Sequence, residues 1–140
     1  MTPQSDLPTG TKLSLLWLFA ILNIVFRDLH ELTMASTIEE ILTGHLNGAP
    51  MSEGLLVVGA FLVELLLLGF LLSSLLRPKL ARWINLVLAP IAILGTLAAQ
   101  PSDPDDYIFA VIEIATFCAI WWIARGWTPA KPHLETGLAS

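Results

Sequence analysis

The sequence is poor in charged residues, and this scarcity argues against a soluble domain. Only 14% of the 140 residues are charged, whereas a soluble globular domain carries roughly 25%. Hydrophobic residues make up 55% of the chain, and the mean hydropathy is +0.73. We therefore expect the lipid bilayer to surround most of the protein.

Cysteine and basic residues are also scarce. The one cysteine, Cys118, excludes a disulfide within the chain and a cysteine-based metal site, and we interpret it as a small packing residue in an apolar run. Seven basic residues against twelve acidic ones give a net charge of −5, and without a basic patch no nucleic-acid partner is expected. The polar N-terminus lacks signal-peptide features, so the first apolar segment is expected to be an uncleaved anchor.

Sequence signatures of enzymes are missing as well. We find no nucleophile motif, no glycine-rich phosphate loop and no haem signature. Acidic residues and a histidine could ligate a metal, but no Glu-x-x-His spacing occurs in the apolar segments and Arg27 would repel a cation. We therefore expect no metal site, nothing favours an enzyme, and no cofactor is assigned.

Four apolar stretches are long enough to span a membrane, which takes about 20 residues each. They cover residues 13–32, 54–76, 80–99 and 107–127. The sequence thus predicts an all-α membrane protein, a four-helix transmembrane domain over 13–127 with polar tails at 1–12 and 128–140. Pro90 is expected to kink or loosen the third helix, which membrane helices tolerate.

Basic residues orient the four spans. Six of them fall on one side: Lys12, Arg77, Lys79, Arg82, Arg125 and Lys131. By the positive-inside rule both termini are expected to be cytoplasmic. The tryptophans agree, because an interfacial belt would place them near the cytoplasmic ends: Trp17, Trp83, Trp121, Trp122 and Trp127.

The first outer loop has structure of its own. Ser36 and Glu39 have the spacing of a capping box, and apolar residues follow at helical spacing, so a short amphipathic helix on the membrane surface is predicted. Asn47-Gly48 marks a turn. The helix is either a plain connector or a functional lid.

Ionisable residues lie within the spans, at matching depths. With a rise of about 1.5 Å per residue, Arg27 and Glu113 each lie about 9 Å below the outer surface, and Asn23 and Glu64 each lie about 15 Å below it. Such residues are costly in lipid and usually face the bundle interior or a wet cavity. We therefore predict an outward-facing polar pocket. Its wall would be Asn23, Arg27, Glu64 and Glu113, and its mouth Asp28, His30 and Glu31.

Structural explanations remain open for each of these residues. Arg27 with Glu113 would then be an ion pair, and Asn23 with Glu64 a hydrogen bond that fixes helix register. His30 and Glu31 would be ordinary interfacial residues. Asn85 is expected to cap or cross-link helices. Asp103, Asp105 and Asp106 are expected to form a solvated turn that starts the fourth helix.

The order of several motifs resembles a known family. The pattern W-x-F-x-x-x-N (Trp17 to Asn23) is followed by "LLSSLL", "RWIN" and "YIFAVIEIATFCAIWW" over most of residues 13–127. It is similar to an uncharacterised bacterial family of small four-helix inner-membrane proteins, a domain of unknown function. The resemblance implies a four-span bundle and no activity. The patterned positions are Asn23, Asp28, Glu64, Arg82, Asn85, Tyr107 and Glu113.

Three functions are compatible with the sequence. The first is a transport, channel or small-ligand or proton-binding unit, which would act as an oligomer because four helices leave no room for a wide pore. The second is an accessory or assembly subunit of a larger membrane complex, favoured by small residues in the second span that permit close packing. The third is a membrane enzyme acting on a lipid or quinone. The expected partners are the bilayer and either a second copy or another membrane protein.

Overall fold

A computed structural model describes residues 7–46, 48–99 and 104–128. Within them the chain forms five helices and one small hairpin: α1 (Thr9–Glu31), α2 (Ala35–Leu42), β1 (His45–Leu46), β2 (Ala49–Pro50), α3 (Glu53–Leu75), α4 (Pro78–Ala98) and α5 (Pro104–Gly126). The four long helices are apolar and long enough to cross a membrane. The chain is therefore a multi-pass membrane protein, as the hydropathy predicted. Lys131 and Asp103 lie outside the described residues.

Each long helix begins before the apolar run that predicted it, because its first turn is polar. α1 starts at Thr9 after Pro8, and α4 starts with Pro78 in its first turn, where proline fits a helix. Ser52 caps α3 by accepting a hydrogen bond from the N–H of Leu55 at 3.2 Å. In α5 two aspartates occupy the first turn, where the helix dipole favours negative charge.

The long helices pack as a ring in the order α1, α3, α4, α5, with α5 returning to α1. Neighbours are antiparallel, because the start of one helix contacts the end of the next: Ser14 of α1 donates to Phe70 of α3, and Arg82 of α4 to Ala124 of α5. We call the end where α1 begins and α5 stops the termini end, and the opposite end the loop end.

At the loop end, α2 and the hairpin connect α1 to α3. The predicted capping box is wrong: α2 begins at Ala35, its N-cap is Met34, and no side chain caps it, so Ser36 already lies inside the helix. The predicted turn joins two short antiparallel strands. Gly48 adopts a positive φ of 73° and donates its N–H to Glu40, while Asn47 lies outside the described residues. Placement of α2 on a membrane surface stays a prediction.

The core is packed most tightly towards the termini end. The rings of Trp17 and Phe117 lie 5.5 Å apart, and both residues are fully buried. Trp17 is thus not part of an interfacial belt: Gly69 of α3 leaves the space that its indole fills, and a Cβ there would come within 2.7 Å of the ring. Trp83 and Trp122 are exposed, as a belt requires. Cys118 is also exposed rather than packed inside.

Helix α3 is the least covered of the four. Its only buried residues are Gly69 and Ser73, near the termini end. In the apolar stretch of α3, 6% of the residues are buried, against 28% to 33% in the other three long helices. Every residue from Glu53 to Phe61 is exposed, so the bundle is closed at the termini end and open along α3 at the loop end.

Candidate intramembrane polar site

The site begins with two residues of α1 that face α5. Asn23 and Arg27 are four residues apart and so lie on the same face of the helix, one turn from each other. Glu113 of α5 faces them and is only 1% exposed. Nη1 of Arg27 donates to both carboxylate oxygens of Glu113, at 3.2 and 3.3 Å. Arg27 and Glu113, for which the sequence indicated similar depths, therefore form a direct ion pair.

Two neutral side chains complete the hydrogen bonding of this carboxylate. Nδ2 of Asn23 donates to Oε1 of Glu113 at 3.3 Å and to the carbonyl of Phe109 at 3.2 Å. The Thr96 hydroxyl, from α4, donates to Oε2 of Glu113 at 3.1 Å. Sequence reasoning missed Thr96, although a hydroxyl in an otherwise apolar span is a common link between membrane helices. We call Asn23, Arg27, Thr96 and Glu113 the charged cluster; it joins α1, α4 and α5.

Further acidic groups surround Arg27 at the loop end. Asp28 and Glu31 lie 3.6 and 3.9 Å from its guanidinium nitrogens, and the Glu31 side chain hydrogen-bonds to Asp106. His30 contacts Asp105 at 3.0 Å. The predicted mouth residues thus lie together above the charged cluster, and two aspartates of the α5 first turn, predicted as a solvated turn, join them.

A cavity of about 200 Å³ adjoins the charged cluster. Its walls are aliphatic and come mainly from α3 and α4, including Leu62, Leu66, Leu88 and Ala92. Its polar lining is confined to one region: Arg27, Asp28, Thr96 and Glu113. Val63 and Ile91 also line the cavity and are 48% and 37% exposed, so the cavity is open between α3 and α4. Asp28 and Ala99, which are also exposed, line it towards the loop end.

Glu64 does not join this site. It is exposed, and its neighbours Val63 and Leu65 line the cavity while Glu64 does not. At 100° per residue it points about 160° away from Leu62 and Leu66, which face the bundle. The helical rise predicted the same depth for Glu64 and Asn23. The two side chains are nevertheless apart, because Glu64 faces away from the bundle. The amide of Asn23 donates to Glu113 instead.

A second set of polar side chains lies at the termini end, and all its members are neutral. Nε1 of Trp17 donates to Oδ1 of Asn85 at 2.7 Å. Nδ2 of Asn85 donates to the Ser73 hydroxyl at 2.9 Å and to the Ala81 carbonyl at 2.8 Å. Ser73 in turn donates to the Gly69 carbonyl. We call Trp17, Ser73 and Asn85 the neutral cluster; it cross-links α1, α3 and α4.

The two other patterned residues take different positions. Arg82 donates from Nε to the Ala124 carbonyl and from Nη2 to the Arg125 carbonyl, both at 3.1 Å. It therefore caps the last turn of α5, where carbonyls lack helical partners. Tyr107 is 57% exposed. Among the residues described, no group of three or more metal-ligating side chains is placed to hold a metal ion.

Comparisons with known proteins identify a family for the chain. No curated protein and no solved structure matches the chain. A family model matches residues 8–133, which cover all four long helices. The resemblance to an uncharacterised family is thereby confirmed, and the chain belongs to the family of unknown function DUF6326.

Proposed function

We propose that the protein binds a small amphiphilic molecule inside the membrane. The observation that carries this proposal is the cavity, whose aliphatic walls end at an arginine, a threonine and a buried glutamate. Ligand pockets typically combine apolar walls with a few convergent polar groups that fix orientation. A purely structural ion pair would not need an adjoining cavity.

The size and opening of the cavity define the ligand class. A volume of about 200 Å³ slightly exceeds that of engineered apolar cavities of about 150 Å³ that take up benzene. The ligand portion inside would thus be one ring or a short alkyl chain. Because the opening faces the side of the bundle between α3 and α4, the ligand would enter from the bilayer. Its polar group would bond to Thr96, Glu113 or Arg27.

We infer that this site lies in the outer half of the membrane. The basic residues favour cytoplasmic termini, which would put the loop end outside. Asp28, His30 and Glu31 would then face the external solution above the site. Transport of the ligand, or of a proton with it, would follow if an oligomer exposed the cavity alternately to the two sides of the membrane.

A pair of matched probes tests the proposal. Para-ethylphenol carries a hydroxyl where para-ethyltoluene carries a methyl group, and the two otherwise have the same shape. We expect the phenol to raise the unfolding temperature of the purified protein in detergent and the toluene to raise it less. Equal shifts would contradict a polar end to the site, and no shift with either probe would contradict the cavity as a binding site.

A cavity-filling variant provides the control. Gly95 lines the cavity, and a Cβ there would meet Leu62 at an ordinary contact distance of 3.9 Å, so Gly95→Leu should fill the space without a clash near the backbone. We expect it to weaken phenol binding about tenfold or more, which corresponds to roughly 1.4 kcal/mol. Ala98→Leu, on an exposed position of the same helix, should bind as the wild type does.

One observation favours the second candidate, an accessory subunit of a membrane complex. In the described residues every buried side-chain nitrogen and oxygen has a hydrogen-bond partner, so the charged cluster is complete without a ligand. If it serves only to join helices, Thr96→Val and Asn23→Leu would lower stability without any change in probe binding. Co-purification of the tagged chain with one fixed membrane protein in constant ratio would then support the subunit function.

A further inference from the structure

Glu64 presents a problem that the ligand site does not solve. It is the central residue of α3, about 16 Å from either end at the helical rise, and its side chain is exposed on the outside of the bundle. Lipid chains cover leucine and valine well, but they offer no partner to a carboxyl group. Ionisable side chains at this depth almost always face a partner or water.

The surface around Glu64 is a continuous exposed face of α3. At 100° per residue, seven residues in the central part of α3, from position 57 to 71, lie within about 60° of Glu64 or coincide with it, and all are exposed. We call them the Glu64 face: Val57, Ala60, Phe61, Glu64, Leu67, Leu68 and Leu71. Gly69 and Ser73, which contact α1 and α4, lie on the opposite side of α3. The contacts within the bundle therefore leave the Glu64 face uncovered.

We propose that the Glu64 face binds the same face of a second copy, about a twofold axis along the membrane normal. A twofold axis brings each residue opposite itself or a near neighbour, so it sets one Glu64 beside the other at the same depth. A carboxylic acid carries both a donor and an acceptor, and two of them can hydrogen-bond to each other. Val57, Glu64 and Leu71 repeat every seven residues, the spacing that two parallel helices need.

This inference is independent of the proposed ligand site, because the cavity lies on the other side of α3. A dimer of this kind would leave the opening between α3 and α4 at the edge of the contact. Failure of phenol binding would not affect the dimer, and failure of the dimer would not affect phenol binding.

Disulfide cross-linking in membranes of the expression host tests the proposed face. The full chain would carry Cys118→Ala, which removes its own exposed thiol. Val57→Cys lies about 20° from Glu64 around the helix, whereas Val58→Cys lies about 120° away, and the two valines are similarly exposed at 66% and 58%. Because a disulfide requires Cα atoms within about 7 Å, we expect an oxidised dimer from Val57→Cys and none from Val58→Cys.

Substitutions of Glu64 test the carboxyl pair. Glu64→Gln keeps a donor and an acceptor and should retain dimerisation. Glu64→Leu should weaken association about threefold to thirtyfold, the range measured for single polar contacts between membrane helices, as judged by energy transfer between labelled chains in liposomes of decreasing protein density. Equal cross-linking at positions 57 and 58, unchanged association of Glu64→Leu, or an adduct of Val57→Cys with a different protein would each overturn the proposal.

Discussion

The two polar clusters of the bundle differ in charge, in tightness and in the helices they join. The neutral cluster at the termini end holds α1, α3 and α4 through fully buried side chains. The charged cluster at the loop end holds α1, α4 and α5, and the cavity lies between it and α3. Helix α3 is thus fixed at one end and separated from the polar groups at the other. A membrane bundle can in this way be rigid at one end and keep space for a ligand at the other.

Loss of the cation from the charged cluster should have the largest effect. Arg27→Met leaves the Glu113 carboxylate buried with neutral donors only, and removing one partner of a buried ion pair typically costs about 3 to 5 kcal/mol. We expect a loss of this size in the free energy of unfolding, measured in detergent by denaturant titration. Arg27→Met with Glu113→Gln should recover most of it. Additive losses in the double variant would mean that the pair is not a unit.

Loss of Asn85 should come next and should behave differently with pH. Asn85→Ala leaves the Trp17 indole N–H and the Ser73 hydroxyl without their partner, and a buried polar group left unsatisfied costs about 1 to 3 kcal/mol. Since no member of the neutral cluster is ionisable, the loss should be the same from mildly acidic to mildly basic buffer. A strongly pH-dependent loss would show that the two clusters are energetically coupled. Trp83→Phe, at an exposed position, is the control.

The packed and open ends of α3 should respond differently to an added methyl group. Gly69→Ala would place a methyl group within 2.7 Å of the Trp17 ring, and this ring is held by Asn85, so overpacking should cost about 1 to 3 kcal/mol. Gly59→Ala meets nothing within 4 Å and should leave thermal stability unchanged or slightly raised, because alanine favours a helix more than glycine does. Equal responses at the two positions would contradict the separation of α3 at the loop end.

Hydropathy was sufficient to predict the four spans, and helical rise was sufficient to predict that Arg27 and Glu113 lie at the same depth. Length decides whether a segment can cross lipid, and depth follows directly from residue number. Rotation about the helix axis is a different quantity, and the apolar residues of α3 surround it on all sides, so its periodicity did not indicate which side faces the bundle. Glu64 was for this reason predicted on the wrong side.

Small residues carried the signal that hydropathy lacked. Gly69 and Ser73 lie about 140° and 180° from Glu64 around α3, and small residues mark the packed side of a membrane helix. Applied to α3, this rule would have predicted that Glu64 lies on the outside of the bundle. The same rule would have indicated space beside Gly69 for the indole of Trp17. Trp17 was instead assigned to an interfacial belt, because the tryptophans lie towards the same ends of the spans. The cavity could not be predicted, because it depends on the separation of α3 from its neighbours.

The smallest expected effect tests whether the charged cluster gains from its third helix. Thr96 and Thr116 are similarly buried, at 8% and 7%, but Thr96 donates to Glu113 on another helix whereas Thr116 donates to the Ile112 carbonyl of its own helix. Valine has nearly the same shape as threonine. We therefore expect Thr96→Val to lower the free energy of unfolding by about 0.6 kcal/mol, the average for interhelical hydrogen bonds in a membrane protein, and Thr116→Val to change it less. Equal losses would mean that the hydrogen bond from Thr96 to Glu113 adds nothing to the stability of the charged cluster.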